Sequence, residues 1–469
     1  MAPPPVNLEV ADIQGLVAAG YRRLRSADYL LFKIRGQGEA RRWLGELAGR
    51  LTTAQAPVAT TGLNLALTSS GLQHLGLDDD TLGSFPSEFI EGMATPHRSR
   101  MLGDEAASAP GNWRWGGNES TAVDIVLMLF ALDAVTLDHL RHDLAVDTIA
   151  GLEKVTELHT ADLGDHEHFG FADGISQPTI LGFGRPAPSR DLIQPGEFIL
   201  GYANEYGLIP PGPVVSSKAD PRRILTQASD GSGAGDLGRN GTYMVFRQMR
   251  QDVAGFWNFA GQRAATSGQG SPEKLAAKIV GRWPSGAPLL IAPDSDQPNF
   301  ASSNDFAYQA DDADGLRCPV GAHVRRANPR DSLDPAPGTD RSVALVKRHR
   351  ILRRGREYGP PISSDPSGPR PPLTDDGQER GLQFICLCSN LVRQFEFVQG
   401  TWIASPKFAG LYDDADPLVA ARSPAGSSFN IPARPFRHRL MALPPFVTVV
   451  GGAYFFLPSI RAVRYLASK

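Results

Sequence analysis

One order of predicted elements occurs twice along the 469 residues, and this doubling constrains the fold more than any other feature. The helices are predicted from apolar residues three and four positions apart, such as Trp43, Leu47 and Leu51. In the order strand, helix, strand, helix, strand, the first series covers residues 29–34, 39–51, 122–132, 134–145 and 156–171.

The second series follows a glycine-rich run at 231–241. It comprises a strand at 242–247, helices at 252–262 and 272–280, a strand at 382–387, a mixed aromatic and polar segment at 394–402, and the last strands at 446–456. The element order repeats, but the sequence does not. Loose alternation with long loops favours an α+β sandwich of two similar halves over a parallel βαβ sheet. We predict an N-terminal half, 1–235, and a C-terminal half, 236–469.

Charge and cysteine content exclude several classes of protein. The net charge of −3 argues against a dedicated nucleic-acid-binding protein, which would carry a basic excess. Cys318, Cys386 and Cys388 are too few for a disulfide framework or a four-thiolate metal site, and the last two are expected to be buried thiols on a strand. The sequence shows neither a secretory signal nor an apolar run of 18 residues. We therefore expect a cytoplasmic protein without a membrane span.

Gly233 to Gly238 match the pattern GxGxxG of dinucleotide-binding proteins. That motif requires a strand before it and a helix after it. Here polar residues precede it and a predicted strand follows it, so we interpret this stretch as a linker.

His166 and His168 lie two residues apart, which places them on one face of a strand. Two imidazoles at this spacing can hold zinc or copper, although no third ligand is evident nearby. The alternatives are a non-haem metal site and a solvated strand end.

Basic residues are concentrated between Arg341 and Arg356, with Ile351 and Leu352 inside the run. Such density is typical of a solvated face or an anion site. If this segment is a strand, some arginines point inward and require an anionic partner, such as a carboxylate, a propionate or a developing oxyanion.

Two further strings carry candidate functional residues. In 170–178, Asp173 belongs either to a plain Asp-Gly turn or to a loop whose small residues let a carboxylate face a flat ligand. In 318–330, His323 is either structural or a ligand, and Gly321 and Ala322 would let a bulky planar group pack beside it.

Together these strings resemble the dye-decolorizing peroxidase family of haem proteins. The resemblance rests on residues 170–174, 322–330 and 351–359, which stand in the family's order, and on the opening and closing strings 12–15 and 451–458. It therefore spans nearly the whole chain and points to the family's longer, cytoplasmic subgroup. It implies two ferredoxin-like halves, with antiparallel sheets and outer helices, and haem in the C-terminal half.

The resemblance also implies catalytic roles. His323 matches the proximal iron ligand, and a neutral imidazole is the usual ligand in peroxidases. Asp173 matches the distal acid–base residue, and Arg353 the residue that stabilises charge on the departing oxygen. If the register is shifted, Arg350 or Arg354 takes the place of Arg353.

Further positions match the family's haem contacts. Gly174, Ile175 and Ser176 would line the haem edge, Asn328 and Arg330 would meet a propionate, and Leu382 and Phe384 would form the distal walls. The candidate acceptor for the second nitrogen of His323 is Glu396. For electron transfer to bulky donors, the candidate surface residues are Trp402, Tyr358 and Tyr454.

The implied function is that of a cytoplasmic peroxidase with one haem b per chain. It would reduce hydrogen peroxide and oxidise dyes and phenols through a ferryl intermediate. No nucleic acid or membrane partner is expected, and an oligomer is compatible with the sequence. The alternatives are a haem-binding or porphyrin-handling protein of the same fold with low turnover, and a non-haem metal-binding module that uses His166 and His168.

Overall fold

The computed structural model describes residues 6–184, 186–363, 372–420 and 427–469. Its strands are β1 (Ser26–Ile34), β2 (Thr61–Leu67), β3 (Ile125–Ala131), β4 (Leu152–His159), β5 (Thr179–Ile180), β6 (Leu192–Ile193), β7 (Val214–Val215), β8 (Gly235–Asp236), β9 (Thr242–Gln251), β10 (Leu352–Arg353), β11 (Arg356–Tyr358), β12 (Gly381–Cys388), β13 (Ser428–Ile431), β14 (His438–Met441) and β15 (Val447–Leu457).

The α-helices are α1 (Gly15–Ala18), α2 (Gln37–Leu47), α3 (Ser69–His74), α4 (Asp79–Gly83), α5 (Ser87–Glu91), α6 (Pro96–Leu102), α7 (Ala134–Asp143), α8 (Val253–Arg263), α9 (Pro272–Val280), α10 (Tyr308–Asp312), α11 (His323–Ala327), α12 (Asp340–Lys347) and α13 (Ile460–Ser468). Two π-helical segments occupy Val392–Glu396 and Val398–Ile403. Short 3₁₀ turns occupy Ala106–Ser108, Pro110–Asn112, Glu119–Thr121, Pro195–Glu197, Pro298–Phe300 and Phe408–Gly410.

The main sheet combines two copies of one antiparallel topology. In the first copy the strand order is β4-β1-β3-β2, and in the second it is β15-β9-β12-β10, with β11 also paired to β12. Each copy follows the ferredoxin-like order 4-1-3-2. The predicted α+β class, with antiparallel strands and outer helices, is confirmed.

The two copies join edge to edge through β15 and β2, where Phe456 pairs with Leu67. They therefore form one continuous nine-stranded sheet, whereas the sequence predicted a sandwich. A boundary at residue 235 stays a prediction.

Both faces of the main sheet are apolar, so other elements must cover both of them. In β3 every residue is buried, so neighbouring side chains pack into cores on opposite faces, as Leu127 and Met128 do. Helices α2 and α13 pack against each other on the first of these faces. In the C-terminal half a separate core contains Phe256 of α8 and Ile279 of α9.

Two predicted elements differ from the structure. The strand predicted over 156–171 is instead β4, Leu152–His159. The chain then bends at Gly164 and Gly170, whose positive φ angles of 73° and 89° are incompatible with a continuous strand. The basic run begins as helix α12, and only its end is extended, in β10 and β11.

Three further observations concern the thiols, the glycine-rich linker and the length of the helices. Cys386 and Cys388 are buried free thiols on β12, and Cys318 is also buried and free. Strand β9 follows the glycine-rich linker. Among the described residues, no helix is both long and apolar enough to cross a membrane.

Candidate active site

A cavity with about 280 Å³ of water-accessible space lies against the sheet of the C-terminal half. One wall is formed by side chains that share a sheet face, including Leu382 and Phe384 of β12 and Met249 of β9. The loop that carries Asp173 closes one side, and α11 with His323 closes another.

His323 is the first residue of α11, and its ring is fixed by a buried carboxylate. Its Nδ1 lies 2.9 Å from Oδ2 of Asp416. Burial lowers the pKa of His323, but Asp416 outweighs burial and holds this pKa above its ordinary value. Since Nδ1 is hydrogen-bonded to Asp416, Nε2 is the ring nitrogen that can coordinate a group bound in the cavity. The carboxylate also raises the basicity of Nε2, which makes it a stronger electron-pair donor.

The acceptor for Nδ1 is Asp416, so the prediction of Glu396 was wrong. Both oxygens of Glu396 lie 2.9 Å from Nη1 of Arg98, and its Oε1 also accepts from the hydroxyl of Tyr454 at 2.9 Å. Glu396 therefore neutralises a buried arginine away from the cavity. Asp416 lies in a loop and has no periodic signal, so no pattern in the sequence marks it as the acceptor.

Asp173 and Arg353 form an ion pair at the cavity. Nη1 of Arg353 donates to Oδ1 of Asp173 at 2.7 Å, and both side chains are about one-third exposed, at 32% and 39%. Burial raises the pKa of Asp173, but Arg353 outweighs burial and holds this pKa below its ordinary value. Asp173 is therefore ionised, and it can accept a proton.

The strand alternation separates the neighbouring arginines. Arg353 lines the cavity, whereas Arg354 donates to the main-chain carbonyls of Leu16 and Val17. Arg350 lines the cavity too, but its Nη1 pairs with Asp191 at 3.1 Å. Among the three candidates, the geometry thus favours Arg353 as the partner of Asp173.

One end of the cavity has excess positive charge. Arg282, Arg330 and Arg350 are all buried and line it, and among the described carboxylates only Asp191 pairs with any of them. Nη2 of Arg350 is buried without a hydrogen-bond partner. An unpaired buried donor is costly, so this end requires further acceptors.

These observations test whether haem fits the cavity. The half-buried imidazole of His323 offers an iron ligand with an anionic partner behind it. Two uncompensated guanidinium groups and the unpartnered donor of Arg350 match the two propionates of haem. The residues present therefore fit haem. Arg282 and Arg350 were not predicted as contacts, although Arg350 stood in the basic run.

Most of the other predicted contacts line the cavity, namely Ile175, Ser176, Asn328, Arg330, Leu382 and Phe384. Gly174 does not line it; this glycine turns the loop after Asp173 with a positive φ of 79°. Trp402, Tyr358 and Tyr454 are at most 8% exposed, so the expectation that they are surface residues was wrong. Trp402 and Tyr454 pack in apolar cores, and the hydroxyls of Tyr358 and Tyr454 donate to Glu379 and Glu396.

The structure does not support a metal site at the histidine pair. Nε2 of His168 lies 2.7 Å from the carbonyl of Tyr358, and burial lowers its pKa to about 4. In the described part of the chain, the one cluster with metal-ligand spacing is Asp28, Glu157 and His159. Arg141 bonds to both of its carboxylates, so a protein cation already occupies that position.

We expect Asp416→Asn to weaken haem binding about 10–100-fold, the usual effect of losing the hydrogen-bond partner of a metal-ligating histidine. The neutral amide no longer stabilises the donor character of Nε2. Haem transfer to apomyoglobin, followed by absorbance, measures the dissociation rate. Asp413→Asn is the control, since Asp413 is largely exposed and its carboxylate only approaches Arg439, at 3.9 Å. Equal haem release by both variants would contradict the role of Asp416.

Comparisons with known proteins agree with this geometry. The dye-decolorizing peroxidase msp1 of Mycetinis scorodonius is 31% identical over 98% of this chain and 88% of that protein. The fungal peroxidase structure from Auricularia auricula-judae matches with a TM-score of 0.79 at 25% identity, covering 99% of this chain and all of that one.

A dye-decolorizing peroxidase in complex with 2,6-dimethoxyphenol matches with a TM-score of 0.78 at 25% identity, over 98% of this chain and 100% of that one. No protein-family model matches the sequence. The near-complete coverage of the first relative, at 31% identity, establishes the assignment. The chain belongs to the dye-decolorizing peroxidase family.

Proposed function

We propose that this protein is a peroxidase with one haem b per chain, which reduces hydrogen peroxide and oxidises aromatic donors, both small phenols and bulky dyes. The observation that carries this proposal is the convergence of two pairs on one cavity. Asp173 and Arg353 form one pair, and His323 and Asp416 form the other.

The bound haem would supply an iron that takes up the oxidising equivalents of peroxide. The ionised carboxylate of Asp173 takes the proton from one peroxide oxygen and returns it to the other, which leaves as water. Arg353 stabilises the negative charge that grows on this departing oxygen. Leu382 and Phe384 give the site an apolar wall, which lowers the local dielectric constant and strengthens both effects.

The donor class is supported by the relatives. The complex of a family member with 2,6-dimethoxyphenol supports phenols, and the names of the relatives support dyes. Our proposal extends both donor classes to this chain.

The proposal is tested by purifying the protein with haem and measuring the ratio of haem to chain. Oxidation of 2,6-dimethoxyphenol and of an anthraquinone dye is then followed with and without hydrogen peroxide. We expect about one haem per chain and peroxide-dependent turnover of both donors. Stoichiometric haem binding without turnover would instead favour the porphyrin-handling alternative.

The lowered pKa of Asp173 predicts that the reaction with peroxide persists into acid solution. Asp173 must be ionised to accept a proton, so the rate falls only as the pH drops through its lowered pKa. Replacing Arg353 by glutamine removes the main cause of this lowering, so that burial is opposed by the smaller effects of the main-chain hydrogen bond from Gly174 and the charge of His323. The acid limb of the pH profile should therefore move to higher pH.

The measurement is the second-order rate constant for hydrogen peroxide, determined across the acid range from the change in Soret absorbance. Arg22→Gln is a suitable control, because Arg22 pairs with Asp165 on the surface, near the same loop. An acid limb that stays in place in Arg353→Gln would show that another group than Asp173 sets it.

A further inference from the structure

Two glutamates beside Asp173 have no role in the reaction as described so far. Glu167 lines the active-site cavity together with Asp173, and Glu357 of β11 pairs across the sheet with the cavity residue Leu382. Directly opposite residues of an antiparallel pair share one face, with Cβ atoms about 4.5–5.5 Å apart. Glu357 therefore lies on the face of the sheet that forms the cavity wall, and it is half-buried.

The loop before the distal aspartate runs along the free edge of β11. The main-chain nitrogen of Ala161 donates to the carbonyl of Glu357 at 2.7 Å, and Nε2 of His168 lies 2.7 Å from the carbonyl of Tyr358. Since Glu167 directly precedes His168, these two contacts hold Glu167 beside β11.

The same loop turns back so that Glu167 and Asp173 both face the cavity. The nitrogen of Glu167 donates to the carbonyl of Phe171, and the nitrogen of Asp173 donates to the carbonyl of Asp165, both at 3.0 Å. Glu167 and Asp173 are thus diagonal neighbours in a short antiparallel pairing, about 7–8 Å apart. From the sheet edge to the cavity, the carboxyl groups follow in the order Glu357, Glu167, Asp173.

The two glutamates hold protons at a pH where Asp173 does not. Burial raises the pKa of Glu167 to about 7, although its carboxylate accepts from the main chain of Phe169 and Phe171. Burial, and then the charges of Asp173 and Glu167, raise the pKa of Glu357 to about 7. Both groups are therefore protonated below this pH, while Asp173 is ionised.

Among the described residues, no cation forms an ion pair with either glutamate. Arg353 is bound to Asp173, and Arg356 donates to main-chain carbonyls on the opposite face of the sheet. His166 and His168 alternate with Glu167 and so point away from it. The other charged groups of the adjoining elements pair with one another, namely Arg380 with Asp376, Arg22 with Asp165, Arg25 with Asp162, and Arg114 with Glu379.

The amide of Gln251 can serve both protonation states of Glu167. Its Nε2 lies 2.8 Å from Oε2 of Glu167, and its Oε1 is buried without a hydrogen-bond partner in the described part of the chain. Turning the amide by 180° exchanges these two atoms, so its oxygen then accepts from the protonated carboxyl group. Such a neighbour suits a carboxyl group that gains and loses a proton.

The reduction of hydrogen peroxide consumes protons that Asp173 alone does not supply. Forming two waters takes up two protons and two electrons, whereas Asp173 only moves the proton that peroxide itself brings. A bulky donor that is oxidised outside the cavity gives up an electron and leaves its proton in solution. Protons must then travel from solvent into the cavity.

We propose that Glu357 and Glu167 pass protons from solvent to Asp173, which delivers them to the oxygen that remains after the first water has left. In each passage Glu167 protonates Asp173, Glu357 reprotonates Glu167, and solvent reprotonates Glu357, so that every O–H bond broken is replaced by one formed. Two passages, with one electron from each of two donor molecules, complete the second water. Because these are steps of the peroxide reaction, the proposal rests on the proposed peroxidase function.

Infrared absorption of the resting, haem-loaded protein tests whether the two glutamates hold protons, without any peroxide. The C=O stretch of a protonated carboxyl group is separate from the bands of a carboxylate. We expect a carboxyl band that disappears as the pH rises through about 7 and that is weaker in Glu357→Gln and in Glu167→Gln. Glu153→Gln is the matched control, because Glu153 is an exposed glutamate on the edge strand β4 and pairs with Arg35.

Single-turnover stopped-flow kinetics test whether these protons reach the cavity. The protein is mixed with one equivalent of peroxide and then with the anthraquinone dye, so that oxidation by peroxide and reduction by the dye are timed separately. Glu357→Gln should slow reduction by the dye about tenfold, which is less than the 10²–10⁴-fold expected for a group that transfers the proton itself, because water offers a slower route. Oxidation by peroxide needs no proton from solvent and is the internal reference.

Two further readouts separate proton transfer from a structural effect. Glu357→Asp keeps an ionisable group and should restore the rate of reduction by the dye. In the wild type this rate should fall above about pH 7, where both glutamates lose their protons, and in Glu357→Gln this fall should be absent. Glu357 carries the kinetic test, because Glu167 also holds the main chain of its loop.

Several outcomes would overturn the proposal. These are an unchanged carboxyl band in both variants, equal slowing of the two kinetic phases, and failure of Glu357→Asp to restore the rate. Turnover of the wild type together with unchanged infrared bands would overturn the proton path alone. Absence of peroxide-dependent turnover in the wild type would overturn the peroxidase function and the proton path with it.

Discussion

Replacing His323 by alanine should abolish stable haem binding while leaving the fold intact. Among the described residues that line the cavity, His323 is the only histidine, so no other imidazole is placed to hold the iron. His323 is the first residue of the short helix α11 and belongs to no strand of the main sheet, so its replacement should leave the sheet unchanged. The ratio of haem to protein after gel filtration measures the loss, and far-UV circular dichroism shows whether the fold survives.

His166→Ala is the matched control, because His166 belongs to the histidine pair that the sequence offered as a rival metal site. It should keep its haem and its Soret band. Retention of a full complement of five-coordinate haem by the His323 variant would refute the assignment of the ligand.

Replacing Asp173 by asparagine should slow the reaction with hydrogen peroxide about 10²–10⁴-fold, the usual contribution of a positioned acid–base group. Asparagine keeps the shape of the side chain, and its oxygen can still accept from Arg353. What it loses is the ability to take up a proton. Stopped-flow absorbance of the haem-loaded variant gives the rate constant.

Arg353→Leu should cost about 10²–10³-fold in the same measurement, because the charge on the departing oxygen loses its stabilising donor. Haem content is measured in parallel, so that a weaker cofactor site is not mistaken for a slower reaction. The two residues need not contribute equally to the rate constant, so a large decrease in one of the two variants is enough to support the assignment. Rates within twofold of wild type for both variants would show that the distal residues are others.

The secondary structure was predictable where short-range patterns determine it. The apolar run at 29–34 lies within β1, and the strand predicted at 242–247 lies within β9. Period-two alternation also separated Arg353 from Arg354, because neighbours on a strand point to opposite faces. The joining of two half-sheets was not predictable, since it depends on one distant pairing between β15 and β2.

The candidate site was predictable where its residues stand in distinctive strings. His323, Asp173 and Arg353 all occupy such strings, and the structure brings them to one cavity. Asp416 was not found because it lies 93 residues after His323, in a loop without periodicity. The sequence instead favoured Glu396 as this acceptor, but Glu396 is buried against Arg98 and pairs with it.

The edge-to-edge joint between the halves has a consequence for synthesis on the ribosome. Strand β15 is made nearly 400 residues after β2 and about 200 after β9, yet it pairs with both. All strands of the first half-sheet are complete by His159, so this part can form early in translation, as N-terminal units commonly do. Until residue 457 emerges, β2 and β9 present unpaired edges, which are prone to association with other chains. The nascent chain therefore needs protection at the β2 edge for most of its time on the ribosome, and at the β9 edge from residue 251 onwards.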